Sequence, residues 1–100
     1  MHFSLSRNEF RAVYINSKRK TAGDLLFLYC SFHAPRLGLT VSKKYGNAVK
    51  RNLFKRRVRE VFYNKILNEN INIALIVKPE KNDINYASIN NSFDKLITLL

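Results

Sequence analysis

Residues 71–77 form a nearly continuous apolar run, interrupted only by Asn72 and stopped by Lys78 and Pro79. A run this short and without alternation suits a strand covered on both faces, since neither side is reserved for water. Such a strand commits the chain to a sheet with other elements packed above and below it. At 100 residues, sheet and cover must come from a single domain, residues 1–100. The material is present. Apolar residues make up 46% of the chain, with seven Phe and five Tyr, whereas three Gly and two Pro are too few for a low-complexity sequence.

The remaining elements are legible from caps and periodicity. Ser6 and Glu9 have capping-box spacing, and Leu5 and Phe10 stand where a hydrophobic staple would put them. Phe10, Val13 and Tyr14 follow at helical spacing, so a first helix runs to about Asn16. Lys18, Arg19, Lys20 and Thr21, before Gly23 and Asp24, suit a turn or a short edge strand, where Lys discourages pairing with another chain. Residues 25–32 are apolar and aromatic and predict a strand. His33, Ala34 and Pro35 turn the chain, after which Leu37, Leu39 and Val41 alternate with Gly38, Thr40 and Ser42. These two strands are expected to form a hairpin, the second with a flat face open to close approach by another backbone. Asn47 is placed to cap a second helix running to about Leu67. Asn85 is placed to cap a third, with Ile89, Phe93, Leu96, Ile97 and Leu100 at helical spacing. The expected order is α-β-β-β-α-β-α, an α+β sandwich with one mixed sheet of about four strands.

Charge adds a second constraint. The chain carries a formal +11, and its distribution is uneven. Residues 43–60 hold Lys43, Lys44, Lys50, Arg51, Lys55, Arg56, Arg57 and Arg59 against Glu60 alone, a net +7, while residues 61–100 balance. Such crowding is costly in self-repulsion unless a polyanion binds, which points to nucleic acid ahead of an anionic membrane. On the second helix, Phe54, Val58, Val61, Phe62 and Ile66 share one side. Arg51, Asn52, Lys55, Arg56 and Arg59 fall on an adjoining arc of roughly 140°. Cations one turn apart can meet successive phosphates, and Arg forks can grip them bidentately. A merely solvated charged face is the alternative, and it is disfavoured because acidic partners for i,i+4 pairing are nearly absent.

The stretch 42–60 resembles the signature of the bacterial ribonuclease P protein component. Lys44-x-Gly46-Asn47-Ala48-Val49, then Arg51-Asn52-x-x-Lys55-Arg56-x-x-Arg59, stand in that family's order and spacing. The likeness extends from Leu5-Ser6-Arg7 to Ile76-Val77-Lys78-Pro79. One position departs: where the family often has an Arg-Asn-Arg triplet, this chain has Arg51-Asn52-Leu53, with Arg57 one turn later as a candidate replacement. The resemblance implies a protein subunit of an endoribonuclease that removes the 5′ leader of precursor tRNA, with catalysis carried by an RNA. It assigns Lys43, Lys44, Lys50, Arg51, Asn52, Lys55, Arg56 and Arg59 to the RNA subunit. It assigns Phe10, Tyr14, Phe27 and Tyr29 to the leader, in a cleft between the first helix and the sheet. Aromatic faces flanked by cations suit a single strand of no fixed sequence, with plain core packing the competing role for Phe10 and Phe27. The resemblance further implies Mg2+ bound mainly through RNA phosphates, with an indirect contact near Asn52. The fold it implies resembles the second domain of ribosomal protein S5, with a left-handed β-α-β crossover around the basic helix, against the general right-handed rule.

Other functions find less support in the residues. His2 and His33 lie far apart without an evident carboxylate partner, and the seven acidic residues are scattered singly, so the protein alone is expected to be catalytically inert. No carboxylate cluster is suited to a protein-held metal. A structural RNA-binding protein of ribosomal type is the main other reading, and the 46–60 signature argues against it; a DNA-binding helix is a weaker third, and the RNA that co-purifies with the protein separates all three. Lone Cys30 in an apolar run fits a reducing cytosol, the N-terminus lacks a secretory pattern, and no run approaches the ~20 residues of a membrane span. A cytoplasmic protein is expected, whose partners are ribonuclease P RNA and precursor tRNA, with neither a membrane nor a stable protein partner.

Overall fold

The computed structural model describes residues 3–100, which leaves His2 and the very start of the chain outside it. The observed order is α1 (Arg7–Asn16), β1 (Lys18–Ala22), β2 (Leu25–Ser31), β3 (Arg36–Leu39), a 3-10 turn (Lys43–Tyr45), α2 (Ala48–Phe62), β4 (Ile73–Pro79) and α3 (Tyr86–Ile97). A π-helical turn, Tyr63–Leu67, extends α2, closed by Asn68 N–H donating to the Tyr63 carbonyl at 2.9 Å. The sheet is four-stranded, ordered β1-β2-β4-β3. The strand at its heart is the apolar run: Ile73, Ala74, Leu75, Ile76 and Val77 are all buried. Alternation splits them between two packed layers. Ile73, Leu75 and Val77 join Leu25, Phe27 and Leu37 beneath Phe54, Val58, Val61 and Phe62 of α2 and Ile89, Phe93 and Leu96 of α3. Ala74 and Ile76 join Leu28 and Val13, with Leu5, Phe10, Cys30 and Phe32 packed alongside, beneath α1.

The expected hairpin between the second and third strands does not form. β2 and β3 are separated by β4, antiparallel to the first and parallel to the second. The reason is the same apolar run: buried on both faces, β4 takes the centre, and β2 and β3 each satisfy one of its edges. The hairpin is instead β1 with β2, turned through Gly23, whose φ of +58° a Cβ would strain. β3 is also shorter than the alternation suggests. It ends at Leu39, and Thr40 N–H makes one further bond to the Val77 carbonyl at 3.0 Å. Its flat face is covered by a ring rather than a backbone: a Cβ on Gly38 would come within 2.8 Å of Phe10.

The caps form as their spacing predicts. Ser6 N–H donates to Glu9 Oε1 at 2.9 Å, and Glu9 N–H donates to Ser6 Oγ at 3.2 Å. Asn47 Oδ1 accepts from Lys50 N–H at 2.9 Å, and Asn85 Oδ1 accepts from Ser88 N–H at 2.8 Å. Among the described residues, no helix is long and apolar enough to cross a membrane.

Candidate nucleic-acid interface

α2 joins the neighbouring parallel strands β3 and β4, so its direction is set by the sheet and its rotation by Phe54, Val58, Val61 and Phe62. That rotation decides where each cation goes. Asn52, Arg56 and Arg59 are exposed, and Arg51 and Lys55 are half-buried along the flank towards β3. Lys55 and Arg59 border a groove whose other walls are Phe10, Leu37, Gly38 and Leu39, so the cationic arc of α2 meets the aromatic of α1 across β3. Arg51 Nε is buried and has no acceptor among the described residues.

The opposite flank behaves differently. Lys50 is turned towards Asp83, with Nζ 3.6 Å from its carboxylate. Arg57 Nη1 donates to the Ile84 carbonyl at 3.3 Å. Leu53 lies between them, facing Asp83, Ile84 and Asn85. Lys50, assigned by the resemblance to the RNA subunit, and Arg57, the candidate replacement for the triplet's missing cation, thus both turn towards the loop ahead of α3, away from the arc. Lys43 and Lys44 are exposed on the 3-10 turn ahead of α2. Lys44 shares a groove with Lys78 and Lys81, edged by Thr40 and Ser42. Sequence reasoning missed those two lysines, because residues 61–100 balance in charge and only the fold carries the end of β4 to this turn.

The four aromatics divide two and two. Phe10 is half-buried, and Tyr14, 58% exposed, stacks on it with centroids 6.3 Å apart and planes 18° apart. Phe27 and Tyr29 are not in that cleft. Both point to the other face of the sheet, because odd-numbered positions of β2 face α2 and α3 while even-numbered ones face α1. Phe27 is fully buried and packs edge-on against Phe93 at 5.2 Å, so it is core and offers no stacking face. Tyr29 is half-buried beside Lys18, Asn16 and Leu99. On the α1 side, β2 contributes Leu28 and Cys30 instead.

Titration adds little chemistry here. Burial pushes the Cys30 thiol up, away from the reactive thiolate. Glu9 is held below the ordinary carboxylate value mainly by the Ser6 backbone N–H, and Asp24 by the Ser88 hydroxyl. His33 packs against Phe32 with centroids 4.3 Å apart. Among the described residues, no three His, Cys, Asp or Glu side chains gather closely enough to hold a metal. What this surface offers is positive charge, hydrogen-bond donors and one stacked aromatic pair, Tyr14 exposed and Phe10 half-buried.

Known proteins resemble the chain along its whole length. The ribonuclease P family model matches residues 4–100. The ribonuclease P protein component of Clostridium kluyveri is 39% identical over 97 residues, covering 89% of this chain and 85% of the relative. That of Staphylococcus epidermidis is 34% identical over 105 aligned positions, covering 97% and 89%. Among solved structures, the Staphylococcus aureus RNase P protein superposes with a TM-score of 0.77 at 27% identity, covering 99% of this chain and 95% of that one. The RNase P protein from Thermotoga maritima, 23% identical with a TM-score of 0.77 over 94% of this chain, shares the fold. With family model, relatives and fold in agreement from residue 4 to residue 100, the chain belongs to the ribonuclease P protein component family.

Proposed function

We propose that this chain is the RNA-binding subunit of a ribonuclease P, promoting removal of the 5′ leader from precursor tRNA. The observation that carries the reading is the arc of Arg51, Asn52, Lys55, Arg56 and Arg59, which runs along the outer face of α2 and opens onto Phe10 across Gly38. Charge and stacking surface lie side by side, as binding of a folded RNA and a neighbouring single strand requires. Lys43 and Lys44 extend the cationic surface around the head of the helix, and exposed Lys78 widens it. Phe10 and Tyr14 supply the stacking faces for the leader, while Phe27 supports the sheet from behind.

The chain's own residues bind and orient. They lower repulsion between two polyanions and hold the leader in register, so the reacting phosphate is presented without a protein nucleophile or base. Mg2+, when bound mainly through RNA phosphates, would supply the activated water and charge stabilisation of phosphodiester hydrolysis. The donor set suits only an outer role: Asn52 is exposed on the arc and offers a neutral amide oxygen to a hydrated ion. Reconstitution tests the reading, with protein alone, a bacterial ribonuclease P RNA alone, and both together acting on precursor tRNA across a magnesium titration. The protein alone is expected to cleave nothing, and the pair to work at much lower magnesium than the RNA alone. Cleavage by nuclease-free protein without RNA overturns the division of labour.

A further inference from the structure

Three side chains from the α2 region converge on two residues of the loop ahead of α3. The Tyr45 hydroxyl accepts a hydrogen bond from Ile84 N–H at 3.1 Å, Arg57 donates to the Ile84 carbonyl at 3.3 Å, and Lys50 faces Asp83 at 3.6 Å. Both polar ends of the Ile84 residue are thus gripped from the same flank of α2. Ile84 is itself buried in the larger core, and its neighbour Asn85 caps α3. At the loop's other end, Glu80 N–H donates to the Asp24 carbonyl at 2.9 Å. The loop is a fixed post, tied to the β1–β2 turn at one end and to α3 at the other.

What the post holds is the turn carrying Lys43 and Lys44. Tyr45 is the last residue of that turn, buried, with its ring 5.0 Å from Phe54. Lys44 lines a groove with Lys78, Glu80 and Lys81, and Lys81 is paired with Asp24, its Nζ 3.3 Å from that carboxylate. Ring packing sets a loose geometry, whereas a buried hydrogen bond from the Ile84 peptide N–H to the hydroxyl fixes distance and angle together. A turn already held in its binding geometry spares the RNA the cost of ordering it.

We propose that Tyr45, assisted by Arg57, is a positioning residue for RNA binding: its hydroxyl, bonded to Ile84, holds the Lys43–Lys44 turn in the geometry that RNA meets. The proposal rests on reading this surface as the RNA interface. It also gives the Leu53 flank a role, since the residues there grip inward while the opposite arc faces outward.

Tyr45→Phe keeps the ring and removes only the hydroxyl. The experiment measures affinity of the full chain for a bacterial ribonuclease P RNA across a potassium chloride series, with thermal melting to fix the folded fraction. Three variants are compared with the unmodified chain: Tyr45→Phe, the Lys43→Ala/Lys44→Ala pair, and the two combined. Tyr45→Phe is expected to weaken binding about three- to tenfold per folded molecule with an unchanged salt slope, because no phosphate contact is removed. The lysine pair is expected to weaken binding and flatten the slope. In that background, Tyr45→Phe should have little further effect, because it acts through the lysines. Arg57→Leu, which removes the other arm of the grip, is expected to show the same dependence and serves if Tyr45→Phe folds poorly. Unchanged affinity in both grip variants, or equal losses with and without the lysines, overturns the positioning role while RNA binding stands. Failure of the unmodified chain to bind the RNA overturns the reading beneath it.

Discussion

Phe10 and Phe27 show how far one residue's role depends on which way its side chain points. Both are large aromatics in segments that the family resemblance assigns to leader binding, yet one lines an open groove and the other is fully buried against Phe93. The period of two in β2 was available in the sequence and already separated Phe27 and Tyr29 from Leu28 and Cys30. What the sequence could not say was which of the two sets α1 covers, since either face of a doubly buried strand is apolar. The consequences can be measured. Tyr14→Ala removes an exposed ring and is expected to weaken precursor tRNA binding by about 1–3 kcal/mol while sparing mature tRNA, which lacks the leader. Phe27→Ala empties a fully buried site and is expected to cost about 3–5 kcal/mol of folding stability, with any loss of binding equal for both RNAs. Comparing melting and the two affinities for each variant separates a stacking surface from a core residue.

At the level of elements, α1, α2 and α3 were legible because each carries its own start signal, a Ser or Asn whose side chain accepts from the first turn. Strand pairing was not, because the partner of β3 lies more than thirty residues downstream in Leu75, Ile76 and Val77. Local pattern favours a hairpin between sequence neighbours, and the central strand overrides it. The ridge of α2 was legible as an arc, but the inward turn of Lys50 and Arg57 depends on a loop that sequence spacing does not place. Replacing Arg56 and Arg59 with Ala is expected to lower the salt slope of RNA-subunit binding by about one unit per lost phosphate contact; an unchanged slope means these side chains face bulk solvent. The α1 capping box makes a prediction in pH. Glu9 is held below its ordinary value, chiefly by the Ser6 N–H, so its contribution to stability is complete above the ordinary carboxylate range. That contribution is lost as pH falls through the lower folded value. In Glu9→Gln, the part of the acid-side loss due to this carboxyl is expected to disappear, which melting below about pH 4.5 checks.

For the molecule as a whole, a formal +11 on 100 residues sets the terms of its behaviour without RNA. The cations crowded into residues 43–60 repel one another, so the melting temperature of the free protein is expected to rise with added potassium chloride. It should rise further with a short polyanion that binds only the folded form. A flat salt response would place the cations too far apart to interact. One more feature of the fold bears on how many molecules associate. Segment 3–5 runs beside the outer edge of β3, where Leu5 N–H donates to the Leu37 carbonyl at 2.9 Å and Leu37 N–H to the Phe3 carbonyl at 2.7 Å. The opposite edge, β1, carries exposed Lys18, Arg19 and Lys20. One margin of the sheet is thus already bonded and the other bristles with like charge, so neither offers a second copy a template for growth. Deleting residues 1–5 bares the β3 margin, and sedimentation of that shortened protein should show concentration-dependent oligomers where the intact chain stays monomeric.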